Sequence, residues 1–381
     1  MKQLTYEKKN TLRWWDTEEP RLESSSDVIA RPLAAARCDG DKVFLFHDVS
    51  RLLQAGLAIH YIDPIVKKLF GNKPFKAPIP IGHECVAEIV SCGNDVKEFS
   101  IGDKVIVPWA ISCGSCSHCL SGLTTKCLDA GYTLISGYGF GESLGNWGGM
   151  VSDLIRVPFA DAMLVKVPSA IDPAALASAS DNIPDGWRTV APQLMKQPGA
   201  PVLVVGGPAA SIGLYAAAIA IALGSSLVTY VDYDKERLSM AEALGVHPIQ
   251  IPEQNRGRWY RRNAPEVKGR YPIASDCSMN EDGLRFAIRS LAPGGTCTSV
   301  GYYFKKNISL PMMQMYANDT TFHTGISHPR ATLCDVLGLV ESGKFRPEKI
   351  TTLLAPWEDA AEAFLEQTIK VVVQRPSIFQ A

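Results

Sequence analysis

The chain has almost no net charge and lacks a membrane-length apolar run, an internal repeat and any low-complexity stretch, and each of these removes a class of function. Of its 381 residues, 38 are Lys or Arg and 39 are Asp or Glu, giving a formal charge of −1. No global basic field therefore draws it to nucleic acid or to an anionic membrane. The longest apolar stretch, Gly213 to Gly224, falls short of the roughly 18–20 residues that span a bilayer and is interrupted by small residues. The opening segment Met1 to Asn10 has charges on both sides of a few apolar residues and no apolar core of signal-peptide length. These features predict a soluble, cytoplasmic protein with no membrane or nucleic-acid partner. The absence of a period in the range of roughly 20–50 residues excludes solenoids and arrays. What is present is globular: 46% hydrophobic and 20% charged residues, with length for about two domains of roughly 100–200 residues each. In a reducing compartment the ten cysteines read as metal ligands, core fillers or nucleophiles rather than disulfides.

The texture changes along the chain. Up to about residue 160, short β-branched runs punctuated by Gly and Pro (Val86 to Val90, Lys104 to Pro108, Leu154 to Pro158) predict an all-β lobe. Between residues 200 and 300 strands and helices alternate: Val202 to Val205, an Ala-rich helix Ile212 to Leu223, Leu227 to Asp232, a helix Asp234 to Leu244. Then come a strand Tyr271 to Cys277, a helix Asp282 to Leu291, a Pro293-Gly294-Gly295 turn and a strand Thr296 to Val300. That alternation predicts a parallel sheet of βαβ units. The tail carries two helical stretches, Ala331 to Ser342 and Trp357 to Thr368, and a strand Val371 to Val373 that returns to the first lobe. Residues 48 to 77 read as a mixed, partly helical insertion.

Cys113, Cys116, Cys119 and Cys127 have the spacing C-x2-C-x2-C-x7-C. Four thiolates in one short segment, separated by Gly and Ser that let the chain wrap, can close a tetrahedral sulfur shell around zinc. The gap from third to fourth cysteine fits neither common ferredoxin run. His118 reads as exposed, since four cysteines fill the shell. A closed shell is structural and not catalytic.

Three further residues are scattered, as catalytic ligands usually are: Cys38 in Arg37-Cys38-Asp39-Gly40-Asp41, His83 in Ile81-Gly82-His83-Glu84-Cys85, and Asp181 in Ala179-Ser180-Asp181-Asn182. Singly, each also reads as a core thiol, a satisfied strand-edge histidine and a helix cap. The turn Gly206-Gly207-Pro208-Ala209-Ala210-Ser211-Ile212-Gly213 follows a strand and opens a helix, the context of a dinucleotide fingerprint, although it is longer than G-x-G-x-x-G. A pyrophosphate would rest on the helix N-terminus from Ser211. Asp232 ends the next strand, where a carboxylate accepts both ribose hydroxyls and repels a 2′-phosphate, so NAD is expected over NADP.

Taken in order, Cys38-x-x-Asp41, Gly82-His83-Glu84, the four-cysteine lobe, the Gly-rich turn at 206–213, Val231-Asp232 and Pro293-Gly294-Gly295 resemble the zinc-containing medium-chain dehydrogenase/reductase family, the zinc alcohol dehydrogenases, over nearly the whole chain. The resemblance implies an α/β architecture. A GroES-like, β-rich catalytic domain would take 1–170 and 310–381, with the structural zinc lobe at 113–127. A Rossmann, doubly wound parallel-sheet coenzyme domain would take 171–309, and the cleft between the lobes would exclude water. It further implies a catalytic zinc on Cys38, His83 and Asp181, with Glu84 as an exchangeable ligand and Asp41 behind His83, hence two zinc ions per chain. Arg237 falls where family members carry a basic residue near the adenosine ribose, and Val300, Gly301 and Tyr302 resemble the segment that lies against the nicotinamide. The implied reaction is hydride transfer between NAD and a small alcohol, aldehyde or ketone, by a homo-oligomer, dimer or tetramer.

Two departures bear on proton handling. Family members usually carry Ser or Thr two residues after the first ligand and often His three further on; here stand Gly40 and Val43. Four residues after the third ligand, a usual Thr is replaced by Asp185. Asp185, expected on the same helix side as Asp181, and His47 are the local candidates to take the proton. The alternatives are a formaldehyde dehydrogenase or aldehyde dismutase with tightly held NAD, whose Ser-Asp-x-x-Pro-x-Gly stretch Asp181 to Trp187 resembles, and a non-catalytic, zinc-stabilised nucleotide-binding protein. Trp109, Trp147, Trp187 and Phe46 read as pocket lining or as core.

Overall fold

The structure, a computed structural model, describes residues 1–131, 134–263 and 270–379. Two compact units divide the chain: Met1–Pro184 with His328–Glu341 and Arg346–Ala381, and Asp185–Ser327 with Ser342–Phe345. Among the described residues no helix is long and apolar enough to cross a membrane.

The first unit is β-rich. Its strands are β1 (Lys2–Lys8), β2 (Thr11–Asp16), β3 (Val28–Ala36), β4 (Ile79–Pro80), β5 (Cys85–Cys92), β6 (Lys104–Val107), β7 (Ile155–Val157) and β8 (Val165–Lys166). The first, second and fourth form a small sheet in the order β2-β1-β4. Antiparallel β3 and β5 form the spine of the larger one, in a register broken by two bulges. Ala34 and Ala36 of β3 pack with Ala177 and Val372; such small side chains let the 3-10 segment Pro173–Ser180 lie close against the strand. Ser180 fastens that segment to β5, its hydroxyl accepting from the Cys85 amide at 2.9 Å and donating to the Cys85 carbonyl at 3.0 Å. The insertion at 48–77 contains two helices, Val49–Ala58 and Ile65–Phe70.

The second unit is a parallel six-stranded sheet of β9 (Val202–Val205), β10 (Val228–Asp232), β11 (His247–Gln250), β12 (Tyr271–Asp276), β13 (Leu291–Ser299) and β14 (Thr321–Thr324). Its order is β11-β10-β9-β12-β13-β14, that of a doubly wound Rossmann sheet, with the reversal between β9 and β12. All four residues of β9 are buried, as a strand covered on both faces requires. The helix Ala210–Ala222 is apolar all round and buried along nearly its whole length. In the first unit, the tail strands β15 (Leu353–Pro356) and β16 (Val371–Gln374) extend the larger sheet to β15-β16-β3-β5-β6-β8.

Four expectations are corrected. Residues 310–327 belong to the Rossmann unit, because β14 pairs in parallel with β13. Residues 171–184 belong to the β-rich unit, where the Pro173–Ser180 segment packs. Pro293-Gly294-Gly295 does not precede a strand but lies inside β13; the register jumps from Tyr271↔Leu291 to Ile273↔Thr296, so the three residues bulge out of the ladder. The stretch Trp357 to Thr368 forms only a 3-10 turn, Trp357–Asp359, and one helical turn, Ala360–Ala363.

Candidate metal centres and nucleotide turn

Cys38 follows the end of β3, His83 precedes β5, and Asp181 sits between the Pro173–Ser180 turn and the helix Asn182–Lys196. Three distant segments thus bring one sulfur, one imidazole nitrogen and one carboxylate oxygen to within 4.8 Å of one another. Sγ of Cys38 lies 3.4 Å, and Nε2 of His83 3.7 Å, from Oδ2 of Asp181. Gly82 gives His83 its entry: at φ +91° its missing side chain leaves room for Val151, whose amide would lie 2.9 Å from a Cβ. Phe140 stacks on the His83 ring with centroids 4.9 Å apart, and Trp109 meets it edge-on at 6.2 Å.

The other nitrogen of His83, Nδ1, faces Oδ1 of Asp41 at 3.5 Å without hydrogen-bond geometry, and among the described residues neither buried atom has a hydrogen-bond partner. Asp41 is fixed in turn by the Cys38 amide, which donates to its Oδ2 at 3.2 Å. Asp41 is therefore set to orient the ring with Nε2 toward Cys38 and Asp181, the arrangement a ligating histidine needs. Glu84 does not join the three. Its Oε2 accepts from Lys370 Nζ at 2.6 Å and its Oε1 from the Asn182 amide at 2.8 Å, and Lys370 and Glu84 side chains are wholly buried. Lys370 also donates to the Arg37 carbonyl and to Oδ1 of Asn182, whose Nδ2 donates to Sγ of Cys38 at 3.1 Å.

Burial and the carboxylates Asp181, Asp41 and Glu84 push the Cys38 thiol well above its ordinary range. Burial pulls the His83 imidazolium down, but Asp41, Asp181 and Glu84 outweigh it and raise it to about 9. Burial pushes Glu84 up to about 7 against the pull of Lys370. So much negative potential on a buried thiol, imidazole and carboxylate is what a divalent cation relieves by displacing protons from its ligands. The mixed sulfur, nitrogen and oxygen set suits zinc.

The four-cysteine segment fits the same metal differently. Cys113, Cys116, Cys119 and Cys127 place their sulfurs within 4.8 Å of one another, with Cys113 to Cys119 and Cys116 to Cys127 each 4.0 Å apart. A tetrahedron with Zn–S of about 2.3 Å has edges of about 3.8 Å. All ten cysteines are free thiols. Amides of Ser115 and Cys116 donate to Cys113, those of Cys119 and Leu128 to Cys116, and that of Cys113 to Cys127. The hydrogen bonds from Leu128 and Cys119 hold the Cys116 thiol down to about 6. His118 Nδ1 pairs with the Lys126 carbonyl at 2.6 Å, and Asp129, which sequence reading did not single out, lies 3.0 Å from the Cys113 sulfur.

In the Rossmann unit, Gly206 and Gly207 end β9 against its neighbours. A Cβ on Gly207 would lie 2.6 Å from the Ser278 carbonyl, and one on Gly206 2.6 Å from the Tyr230 hydroxyl. Pro208 is exposed, whereas Ser211, Ile212 and Gly213 are buried in the helix, whose N-terminus no side chain caps. Asp232 is buried at the end of β10, but its carboxylate is already engaged: Arg237 donates to both oxygens at 2.7 Å, and the amides of Tyr233 and Asp234 donate to Oδ1. Arg237 and Arg256 each lie over the Tyr233 ring, 4.9 and 4.8 Å from its centroid. Val300 is buried, Gly301 half-buried and Tyr302 exposed.

Asp185 pairs with Arg188 at 2.5 Å, and His47 is exposed beyond the helix Asp41–Phe46. Phe46 lies under Arg37, Trp147 packs with Arg156 and Tyr138, and Trp187 is buried. Sequence reading missed Phe140, Asn182 and Lys370; only Asn182, next to Asp181, carried a local signal.

The chain is similar to known proteins along most of its length. Residues 54–169 match the family model described as alcohol dehydrogenase GroES-like domain, and residues 211–340 that described as zinc-binding dehydrogenase. A probable zinc-binding alcohol dehydrogenase of Mycobacterium tuberculosis is 27% identical over 91% of this chain and 80% of its own length. The glutathione-independent formaldehyde dehydrogenase of Bacillus subtilis is 33% identical, but over only 46% of this chain and 43% of its own. Among solved structures, an alcohol dehydrogenase from a Thermus species superposes with a TM-score of 0.80 at 25% identity, covering 98% of this chain and 99% of its own. The chain belongs to the zinc-dependent medium-chain dehydrogenase/reductase family and is an alcohol dehydrogenase-type oxidoreductase.

Proposed function

We propose that the chain interconverts alcohols and carbonyl compounds with NAD(H), holding one zinc ion on Cys38, His83 and Asp181 and a second, structural one on Cys113, Cys116, Cys119 and Cys127. The observation that carries this reading is the convergence of three unlike ligand atoms within 4.8 Å, from segments far apart in the chain. Zinc held by these three residues would supply a Lewis acid toward the substrate, and NAD would supply the hydride acceptor.

The protein's own groups supply the setting. Asp41, which faces Nδ1 of His83, would fix its tautomer and orientation on closing that gap. One thiolate and one carboxylate match a divalent charge, giving a nearly neutral site. Asn182 donates to the Cys38 sulfur, and the Lys370–Glu84 pair holds Asn182 in place. Phe140 and Trp109 wall the imidazole. The turn from Gly206 to Gly213 would carry the pyrophosphate on a helix N-terminus, and Asp232 with Arg237 would mark the adenosine ribose. Gly40 and Val43 have no exchangeable side-chain proton and Arg188 engages Asp185, so the substrate proton leaves through water.

A formaldehyde dehydrogenase or dismutase reading draws support from a match to under half of the chain, and coenzyme retained through gel filtration would favour it. The test is a panel of primary alcohols, secondary alcohols, polyols and aldehydes followed by NADH absorbance. Oxidation of at least one alcohol class with NAD is the expected result; no turnover with any member, using either NAD or NADP, would defeat the proposal.

A further inference from the structure

The Rossmann unit buries a second carboxylate besides Asp232. Asp276 ends β12, with Val205 of β9 as its register partner on one side and Ser299 of β13 on the other. It stands where the strand order reverses, and in such sheets a dinucleotide binds outside the carboxyl ends at that point. Asp276 is 0% exposed, and a buried carboxylate is costly unless its lone pairs are satisfied. Its donors are all neutral: Ser278 Oγ at 2.5 Å, the Ser278 amide at 3.2 Å, Ser299 Oγ at 2.7 Å and the Tyr303 hydroxyl at 2.7 Å. Burial raises its pKa, and these hydrogen bonds pull it back.

The positions of the donors are informative. Ser299 is the residue before Val300, and Tyr303 the residue after Tyr302, so one carboxylate ties down both ends of Val300-Gly301-Tyr302. Ser299 Oγ also accepts from the Gly301 amide at 3.1 Å, and the Ser299 carbonyl accepts from Arg188 at 3.2 Å. The Tyr303 ring lies under Gly301, where a Cβ would meet ring atoms at 2.5 and 3.0 Å. Ser278 leans on the other side, against Gly207 of the phosphate turn. With the adenosine half assigned to the β9–β10 side by Asp232, the two-fold build of the sheet puts the second nucleotide over β12 and β13.

We infer that Asp276, acting through Ser299 and Tyr303, is the positioning residue for the nicotinamide end of the coenzyme. The inference rests on the dinucleotide reading above and adds to it which of the chain's groups set the nicotinamide-facing backbone. The experiment compares NADH with ADP-ribose, which has everything but the nicotinamide, binding to the metal-loaded protein by titration calorimetry. Tyr303→Phe keeps the ring and its packing, and Asp276→Asn keeps the volume. Each is expected to weaken NADH about 3- to 10-fold, the range for one lost hydrogen bond, while leaving ADP-ribose affinity unchanged; steady-state kinetics should show KM for NAD rising in step. Equal weakening of both ligands, or of neither, in Tyr303→Phe overturns the inference, the first outcome making Asp276 a general strut and the second an idle one. If Asp276→Asn does not fold, Tyr303→Phe decides alone. Failure of the wild type to bind ADP-ribose would instead remove the dinucleotide reading itself.

Discussion

Arg237 closes a two-pronged fork on Asp232, Nε to Oδ2 and Nη2 to Oδ1, each at 2.7 Å. Asp232 is buried and Arg237 partly so, and such bidentate contacts are among the stronger charged hydrogen bonds. Asp232 thereby loses part of its power to repel a 2′-phosphate. The same aspartate keeps Arg237 from serving as a phosphate seat.

Coenzyme choice follows from that balance. Asp232→Gly frees Arg237, with Arg256 across the Tyr233 ring, to receive a 2′-phosphate. The ratio of kcat/KM for NADP to that for NAD should rise by about 10-fold or more, the equivalent of one charged hydrogen bond. A wild type that prefers NADP, or an unchanged ratio in the variant, would contradict the assignment.

Stability should hinge on the buried pair Lys370–Glu84. Lys370→Met leaves Glu84 and Asn182 without their shared cationic donor, and removing one partner of a buried ion pair costs roughly 3–5 kcal/mol. Chemical denaturation of the variant should show a loss of that size; a loss below about 1 kcal/mol, the level of an exposed pair, would mean that the pair is dispensable.

The four-cysteine segment should behave as a folding element. Cys116→Ser removes the sulfur that accepts two backbone amides, and the variant should release one zinc and unfold at lower temperature, because a closed thiolate shell contributes its binding energy to folding. Unchanged melting with that zinc lost would show the segment to be stable without metal.

For proton transfer, Asp185→Asn and His47→Gln should each keep the wild-type pH profile of alcohol oxidation, since Asp185 is engaged by Arg188 and His47 is exposed. General-base assistance is worth about 10²–10⁴-fold. A drop of that size in either variant, with a displaced pH profile, would put the lost side chain in the relay.

How far the sequence foretold the site depends on how far apart the partners lie. Val202–Val205 was readable as a buried strand from its unbroken β-branched and leucine run, and the Cys113 to Cys127 segment from spacing alone, because both signals are local. Arg188, three residues after Asp185 on one helix, was visible in the same way as its partner. Lys370 had no such signal: its contact with Glu84 crosses 286 residues and exists only because β16 lies beside β3. Cys38, His83 and Asp181 came from a resemblance rather than from spacing, since strand ends and a 3-10 turn, not a short motif, bring them together. Pro293-Gly294-Gly295 was read correctly as a break but not as a bulge, because only the neighbouring strand shows that pairing resumes.

The claim on which the rest depends is that Cys38, His83 and Asp181 hold the working zinc. The measurement is metal content per chain by mass spectrometry, with alcohol oxidation assayed on the same samples of wild type and Asp181→Ala. The wild type should carry two zinc ions and the variant one. Variant turnover should fall below about 1% of wild type, because loss of a group that merely supports a ligand already costs 10- to 100-fold, while the melting profile stays cooperative. One zinc or none in the active wild type, or full zinc content and turnover in Asp181→Ala, would contradict the account.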